Sequence, residues 1–168
     1  MNRTSSAPLA SFDSTTPVEG PAGQLAHPEA LAQLERLAPG LYPIGDRAWC
    51  VVGNGLSNQT FVEGPEGIIA IDSGDCVEEM AAAIGQLRTV SDRPIVACVY
   101  THFHYVDGTR AILDEGGTAP EDLPVWGHER IAANRRRFGG EVAGRSRRGL
   151  VHQFGMLLPK DGPDALLH

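Results

Sequence analysis

Two short apolar runs, Ile68-Ile-Ala-Ile-Asp72 and Pro94-Ile-Val-Ala-Cys-Val-Tyr100, flank a helical stretch from Val77 to Leu87. Both runs are short, bounded by Gly, Pro or Asp, and rich in β-branched residues, which predicts buried strands. Ser73-Gly-Asp75 forms a loop between strand and helix, with Asp75 expected as the helix cap. Glu78 and Glu79 place negative charge in the first helical turn. A strand, a helix and a second strand in this order restrict the chain to a layered α/β architecture.

The flanking sequence extends that architecture in both directions. Upstream, Gly40-Leu-Tyr-Pro-Ile44, Ala48-Trp-Cys-Val-Val52 and Asn58-Gln-Thr-Phe-Val-Glu63 are strand-like runs. Gly45-Asp46, Gly53-Asn-Gly55 and Gly64-Pro-Glu-Gly67 separate them, the pattern of a hairpin meander with glycine corners. Downstream, Thr109 to Glu115 predicts a helix ended by Gly116-Gly117, Leu123-Pro-Val-Trp126 a short strand, and Gly127 to Phe138 another helix. Hairpins followed by β-α-β-α alternation describe a mixed sheet with helices packed on it. Residues 1–26, rich in Ser, Thr, Pro, Gly and Ala, are expected to be a disordered or extended N-terminal arm. Pro28 then starts a short amphipathic helix with leucines at 31, 34 and 37, stopped by Pro39-Gly40.

Chemistry concentrates where the second strand must end, in Tyr100-Thr-His-Phe-His-Tyr-Val-Asp107-Gly108. Side chains at i and i+2 of an extended segment point to one side, so His102 and His104 can present both imidazoles to one point. The carboxyl end of a strand is where α/β sheets place ligands, and such a pair can hold a metal ion there. Taken alone, two histidines in a polar loop are better explained as solvated.

Other features point elsewhere or nowhere. The net charge of −7 gives no general affinity for nucleic acid or anionic membrane. Every basic residue except Lys160 is arginine, a composition bias first and a functional choice second. Arg135, Arg136, Arg137, Arg145, Arg147 and Arg148 form the densest charge cluster. A solvated helix face explains it most simply, docking of sulfate or phosphate comes second, and nucleic acid follows well behind. Cys50, Cys76 and Cys98 are odd in number and widely spaced, which argues against a disulfide framework and thiolate zinc sites. Cys98 alternates into the apolar strand as a small core residue. Cys76, near a helix start, has no histidine beside it to act as its base. Gly53-x-Gly55 precedes a strand and so is no dinucleotide fingerprint. With no leader pattern and no apolar run long enough to span a bilayer, the expected location is a reducing, cytoplasmic one, with no membrane span.

Four segments together resemble the N-terminal part of a metallo-β-lactamase-fold hydrolase of the alkylsulfatase-like branch. Gly40-Leu-Tyr-Pro-Ile with Leu56-Ser-Asn-Gln-Thr-Phe-Val-Glu-Gly64 is similar to that branch's opening hairpins. Gly67-Ile-Ile-Ala-Ile-Asp72 resembles its strand ending in aspartate, and Arg93 to His104 the strand entering its metal loop. Ser146-Arg-Arg with Gln153-Phe-Gly-Met-Leu-Leu-Pro159 is similar to a segment further on. The resemblance covers about residues 40 to 168 and implies an α/β fold, a metallo-β-lactamase-like mixed β-sheet with flanking helices, as an incomplete half of an αββα sandwich. The domain would then run over residues 27–168.

The resemblance also implies one or two zinc ions that activate water to hydrolyse an alkyl sulfate or related small-molecule ester. His102 and His104 match the first two ligands of the family's His-x-His-x-Asp-His loop. Val106 stands where the aspartate is expected and Asp107 where the third histidine is expected. Asp107 is therefore the candidate third ligand or the group that orients the attacking water, and Asp72 a support for one histidine. The family's later histidine and carboxylate ligands are expected well downstream and have no recognisable counterpart up to His168, with His27 in the arm, His128 in a capping or surface role and His152 solvated. A second reading follows from that: a truncated or degenerate, non-catalytic relative acting as an interaction module. It would serve as a homo-oligomer or with a complementing chain that completes the site.

Overall fold

The computed structural model describes residues 16–165. They divide into two compact units, one of residues up to 36 with those from 152 onward, the other of residues 37–151. In the first, β1 (Val18–Glu19) and β2 (Leu25–Ala26) pair antiparallel. The turn between them is closed by Gln24, buried, whose Oε1 accepts the Ala22 N–H at 2.8 Å. α1 (Pro28–Arg36) follows, starting on a proline whose missing N–H costs nothing in a first turn. The C-terminal segment joins this hairpin: Leu25 N–H donates to the Pro163 carbonyl at 3.0 Å, and Gly162 N–H to that of Ala22 at 2.8 Å. Of the expected N-terminal arm, residues 1–15 lie outside the described residues, and the rest forms this hairpin.

The second unit is built on one six-stranded sheet in the order β3-β4-β5-β6-β7-β8. β3 (Gly40–Ile44), β4 (Ala48–Val52), β5 (Gln59–Glu63) and β6 (Ile68–Ile71) form an antiparallel meander whose corners are the predicted turns. The period then changes from two to 3.6 and so does the topology. α2 (Val77–Leu87) carries the chain across, so β7 (Ile95–Val99) lies parallel to β6. α3 (Thr109–Gly116) makes the same crossover before β8 (Val125–Trp126), which is parallel to β7. This is the mixed sheet with flanking helices that the sequence predicts.

The core lies between the sheet and α2 with α3. Met80, Ala83, Ile84 and Leu87 line one face of α2 at helical spacing and pack with Val51, Phe61, Ile68, Ala70, Ile95 and Cys98 from the strands and with Ala111 and Ile112 of α3. Cys98 is fully buried, which pushes its thiol up to about 11, and all three cysteines are free. On the far side of the sheet Ile69, Val96, Ala97 and Trp126 line a shallow apolar groove of about 300 Å³.

Two boundaries differ from expectation. The helix predicted from Gly127 starts later, as α4 (Ile131–Arg137), because His128 closes a turn first: its Nδ1 accepts from Arg130 N–H at 3.1 Å and its carbonyl from Ile131 N–H at 3.0 Å. Beyond α4 the chain stays helical. A π-helical turn at Phe138–Val142 leads into α5 (Ala143–Gln153), so Arg145, Arg147, Arg148 and His152 sit on a helix. The glycines at 139, 140, 144 and 149 had obscured its period. No helix among the described residues is long and apolar enough to cross a membrane.

Candidate functional site

β6 and β7 are neighbours and parallel, so the loops that leave their carboxyl ends must meet. Asp72 N–H still donates to the Val99 carbonyl at 2.8 Å, extending the ladder. Beyond it Ser73 N–H donates to Tyr105 at 2.9 Å, Gly74 bridges Val106, and Asp107 N–H donates back to Gly74 at 3.2 Å. Gly108 closes the junction, because a Cβ there would lie 1.8 Å from the Ser73 carbonyl oxygen, a position only glycine permits. Val106 is buried at this seam, 8% exposed, which leaves Asp107 on the solvent side.

Asp72 anchors the histidine loop. It turns out of β6 at φ 59, a left-handed conformation that costs roughly 1 kcal/mol or more outside glycine. In that position its carboxylate accepts from Thr101 N–H at 2.8 Å and from the Thr101 hydroxyl at 2.6 Å. Thr101 Oγ1 also lies 2.8 Å from His102 Nδ1. A hydroxyl has one proton, and the carboxylate takes it; Thr101 therefore accepts from His102 Nδ1–H. A neutral His102 is held as the Nδ1–H tautomer, with the Nε2 lone pair free to face a ligand.

His102 and His104 are both exposed and their rings lie 5.2 Å apart, centroid to centroid. His104 packs between Phe103 at 4.0 Å and Phe138 at 5.3 Å, the latter edge-on. Asp107 points to α4, where one Arg135 nitrogen donates to both of its oxygens at 2.5 and 2.7 Å. Phe103, His104, Asp107, Arg135, Phe138 and Gly139 together line a cavity of about 270 Å³.

Beneath this rim lies a buried carboxylate. Glu79 of α2, 9% exposed, accepts from Ser57 Oγ at 3.0 Å, Gln59 Nε2 at 2.7 Å and Asp75 N–H at 2.9 Å. Its carbonyl takes Asn54 Nδ2 at 2.7 Å. A Cβ at Gly55 would meet the Glu79 carboxyl carbon at 2.3 Å, so the loop comes this close only as glycine. Asp75 is thus not the helix cap: Cys76 takes that place without a side-chain bond, and Asp75 gives its backbone N–H to Glu79. The Asp75 side chain is exposed, within electrostatic reach of His104 and Asp107. Partial burial pushes its carboxyl up from the ordinary value, Glu79 and then Asp107 add to that, and His104 pulls the other way.

Three groups that sequence spacing does not point to lie around the histidine pair. Asp75 follows β6, and only the parallel pairing with β7 carries it to the histidine loop. Arg135 and Phe138 come from α4 and the turn after it, nearly thirty residues or more from the loop in sequence. Of the remaining clustered arginines, Arg137 lies 3.5 Å from Glu141, while Arg136, Arg145, Arg147 and Arg148 are exposed, as a solvated face requires.

No family model matches the chain. A linear primary-alkylsulfatase from Pseudomonas sp. (strain ATCC 19151) is 33% identical over 75 residues, 44% of this chain and 14% of that protein. An (R)-specific secondary-alkylsulfatase from Pseudomonas sp. is 30% identical over 135 residues, 77% of this chain and 20% of the relative. Among solved structures, a double mutant of the sec-alkyl sulfatase PisA1 superposes with a TM-score of 0.62 at 27% identity, over 79% of this chain and 22% of that one. The chain is an alkylsulfatase-like relative with the metallo-β-lactamase fold. This alkylsulfatase-like chain spans a fifth or less of the length of these curated relatives.

Whether its own residues suit a metal ion is a question of donors. Two imidazoles on one loop, one of them with a fixed free nitrogen, suit a divalent ion. The set stops there: among the described residues no three of His, Cys, Asp and Glu are grouped so as to hold a metal, and Asp107 is engaged by Arg135. The residues present do not fit a complete catalytic metal site.

Proposed function

We propose that this chain carries the loop-bearing part of a sulfate-ester hydrolase, with small-molecule alkyl sulfates or related esters as substrates. The likeness to alkylsulfatases over three quarters of the chain is the observation that carries this reading. In it His102 and His104 are metal donors with zinc as the ion, although histidine and carboxylate ligands suit manganese and iron as well. Thr101 and Asp72 orient His102 through the hydrogen bonds described above. Asp107 is the adjoining carboxylate, a third donor or the group that positions water.

The test uses the full chain. Zinc content after dialysis, and zinc affinity by calorimetry, are compared between wild type and the His102→Ala/His104→Ala variant. Loss of binding in the variant is the expected result, and equal affinity in both sinks the assignment. Sulfate release from a medium-chain alkyl sulfate measures the activity itself.

One observation favours a second reading, in which the chain is a non-catalytic relative or needs a second chain to complete its site. It is the missing third donor among the described residues. Zinc-dependent turnover by the isolated chain would remove this reading.

A further inference from the structure

The six-stranded sheet has one covered face and one bare face. Alternate residues of a strand point to opposite faces, and Phe61, Ala70 and Cys98, fully buried, belong to the core shared with α2 and α3. The residues between them therefore face away, and they align in two cross-strand rows. Tyr42, Cys50, Thr60, Ile71, Val99 and Trp126 are successive register partners across all six strands. Ile44, Ala48, Val62, Ile69 and Ala97 form the neighbouring row. Neither row contains a charged residue, and none of these side chains is buried. Trp126, Ile44 and Tyr42 are the most open, at 68%, 52% and 37% exposure. A sheet face that meets water normally carries polar residues. This sheet is apolar on both faces.

We propose that this bare face is the docking surface for a second copy of the chain, the two sheets packing face to face about a two-fold axis. Outside the described residues the sequence offers Met1, Leu9, Phe12, Leu166 and Leu167 as large apolar side chains, too few to cover two full rows. With the exposures above, the rows present roughly 600 Å² per copy, so two meeting faces bury roughly 1,200 Å², the lower end of specific interfaces. The match in charge points the same way. A partner recognised through ion pairs finds none to make here, whereas a copy brings an equally uncharged face. The edges of the sheet offer no rival route: β3 carries Pro43, which has no N–H to donate, and β8 is two residues long. Nothing in this pairing depends on the histidine loop.

Sedimentation equilibrium of the full chain tests this. A monomer–dimer equilibrium with a Kd of about 1–100 μM is expected from an interface of that size. It should hold as salt rises, because the contact has no ion pair to screen. Thr60→Arg sets two guanidiniums near the middle of the paired faces and is expected to weaken dimerisation about a hundredfold or more. Ile44→Glu, at a more exposed position of the same face, repeats the test should Thr60→Arg melt early. Val90→Ser, exposed on the turn after α2, should change the affinity less than about twofold. Alkylation reads the face directly. Cys50, free and on the face, should react more slowly as concentration rises through the Kd, while Cys76, free at the start of α2, keeps its rate. A chain still monomeric above that Kd range overturns the proposal, and so does one that assembles beyond the dimer. A dimer indifferent to both charged variants, with Cys50 reacting at a constant rate, overturns it by placing the contact elsewhere. A monomer whose Cys50 resists alkylation at every concentration overturns it in favour of a segment of the chain itself.

Discussion

The carboxylates of Glu79, in the first turn of α2, and Asp107, in the histidine loop, are treated in opposite ways. Glu79 is buried and satisfied by three donors, the Ser57 hydroxyl, Gln59 at the start of β5 and the Asp75 backbone N–H. Asp107 is half-exposed and satisfied by one half-exposed side chain. The first arrangement is shut off from water, so a donor lost from it is not replaced by solvent. The second can be exchanged cheaply, since water or a cation replaces the guanidinium at little cost. The difference separates a foundation that fixes where the loops run from a rim that stays free to bind.

The largest expected effect breaks the foundation. Glu79→Ala should destabilise the fold by about 2–4 kcal/mol, because it takes the acceptor from Ser57 Oγ and from the Asp75 N–H, while Gln59 Nε2 keeps Ser57 as an acceptor. Denaturant unfolding measures this, and a loss below about 1 kcal/mol would remove the contrast with the rim. An intermediate effect belongs to the link between the two. Thr101→Val deletes the hydroxyl between Asp72 and His102 and should cost about 1–2 kcal/mol. Nitrogen NMR of the ring should then show His102 sampling the Nε2–H tautomer, which Thr101→Ser should suppress. An unchanged tautomer in Thr101→Val would refute the hydroxyl's orienting role.

The smallest effect sharpens the comparison at Asp75, which lies between foundation and rim. Its carboxyl is pushed above the ordinary value of 3.8 by burial, Glu79 and Asp107. An acid raised in the folded state binds protons more tightly there than when unfolded, so stability falls as pH rises through that window. Asp75→Asn removes the penalty. It should raise the melting temperature slightly at pH 7, with the gain fading as pH falls towards 3.8. A gain that persists under acid would place its cause outside this carboxyl's ionisation.

Much of the fold was legible because it depends on local pattern. The runs that became β3 to β7 and the stretch that became α2 announce themselves by period and by their glycine and proline boundaries. α5 escaped because its glycines and arginines carry no apolar stripe. At the site, His102 and His104 were legible from an i, i+2 spacing after a strand, which needs no knowledge of distant residues. The role of Asp75 was misread because a carboxylate before a helix is usually a cap, and here its backbone N–H was needed by Glu79 instead.

By itself the sequence determined the strand and helix succession, the alkylsulfatase-like resemblance and the histidine pair, all of which are carried by short-range order along the chain. Only the tertiary structure decided which groups surround that pair. Parallel pairing of β6 and β7 brought Asp72 and Asp75 to the histidine loop, and the packing of Phe138 brought Arg135 to Asp107. A charge's partner depends on distance in space, and spacing in sequence does not encode distances closed by a crossover or by a helix folding back.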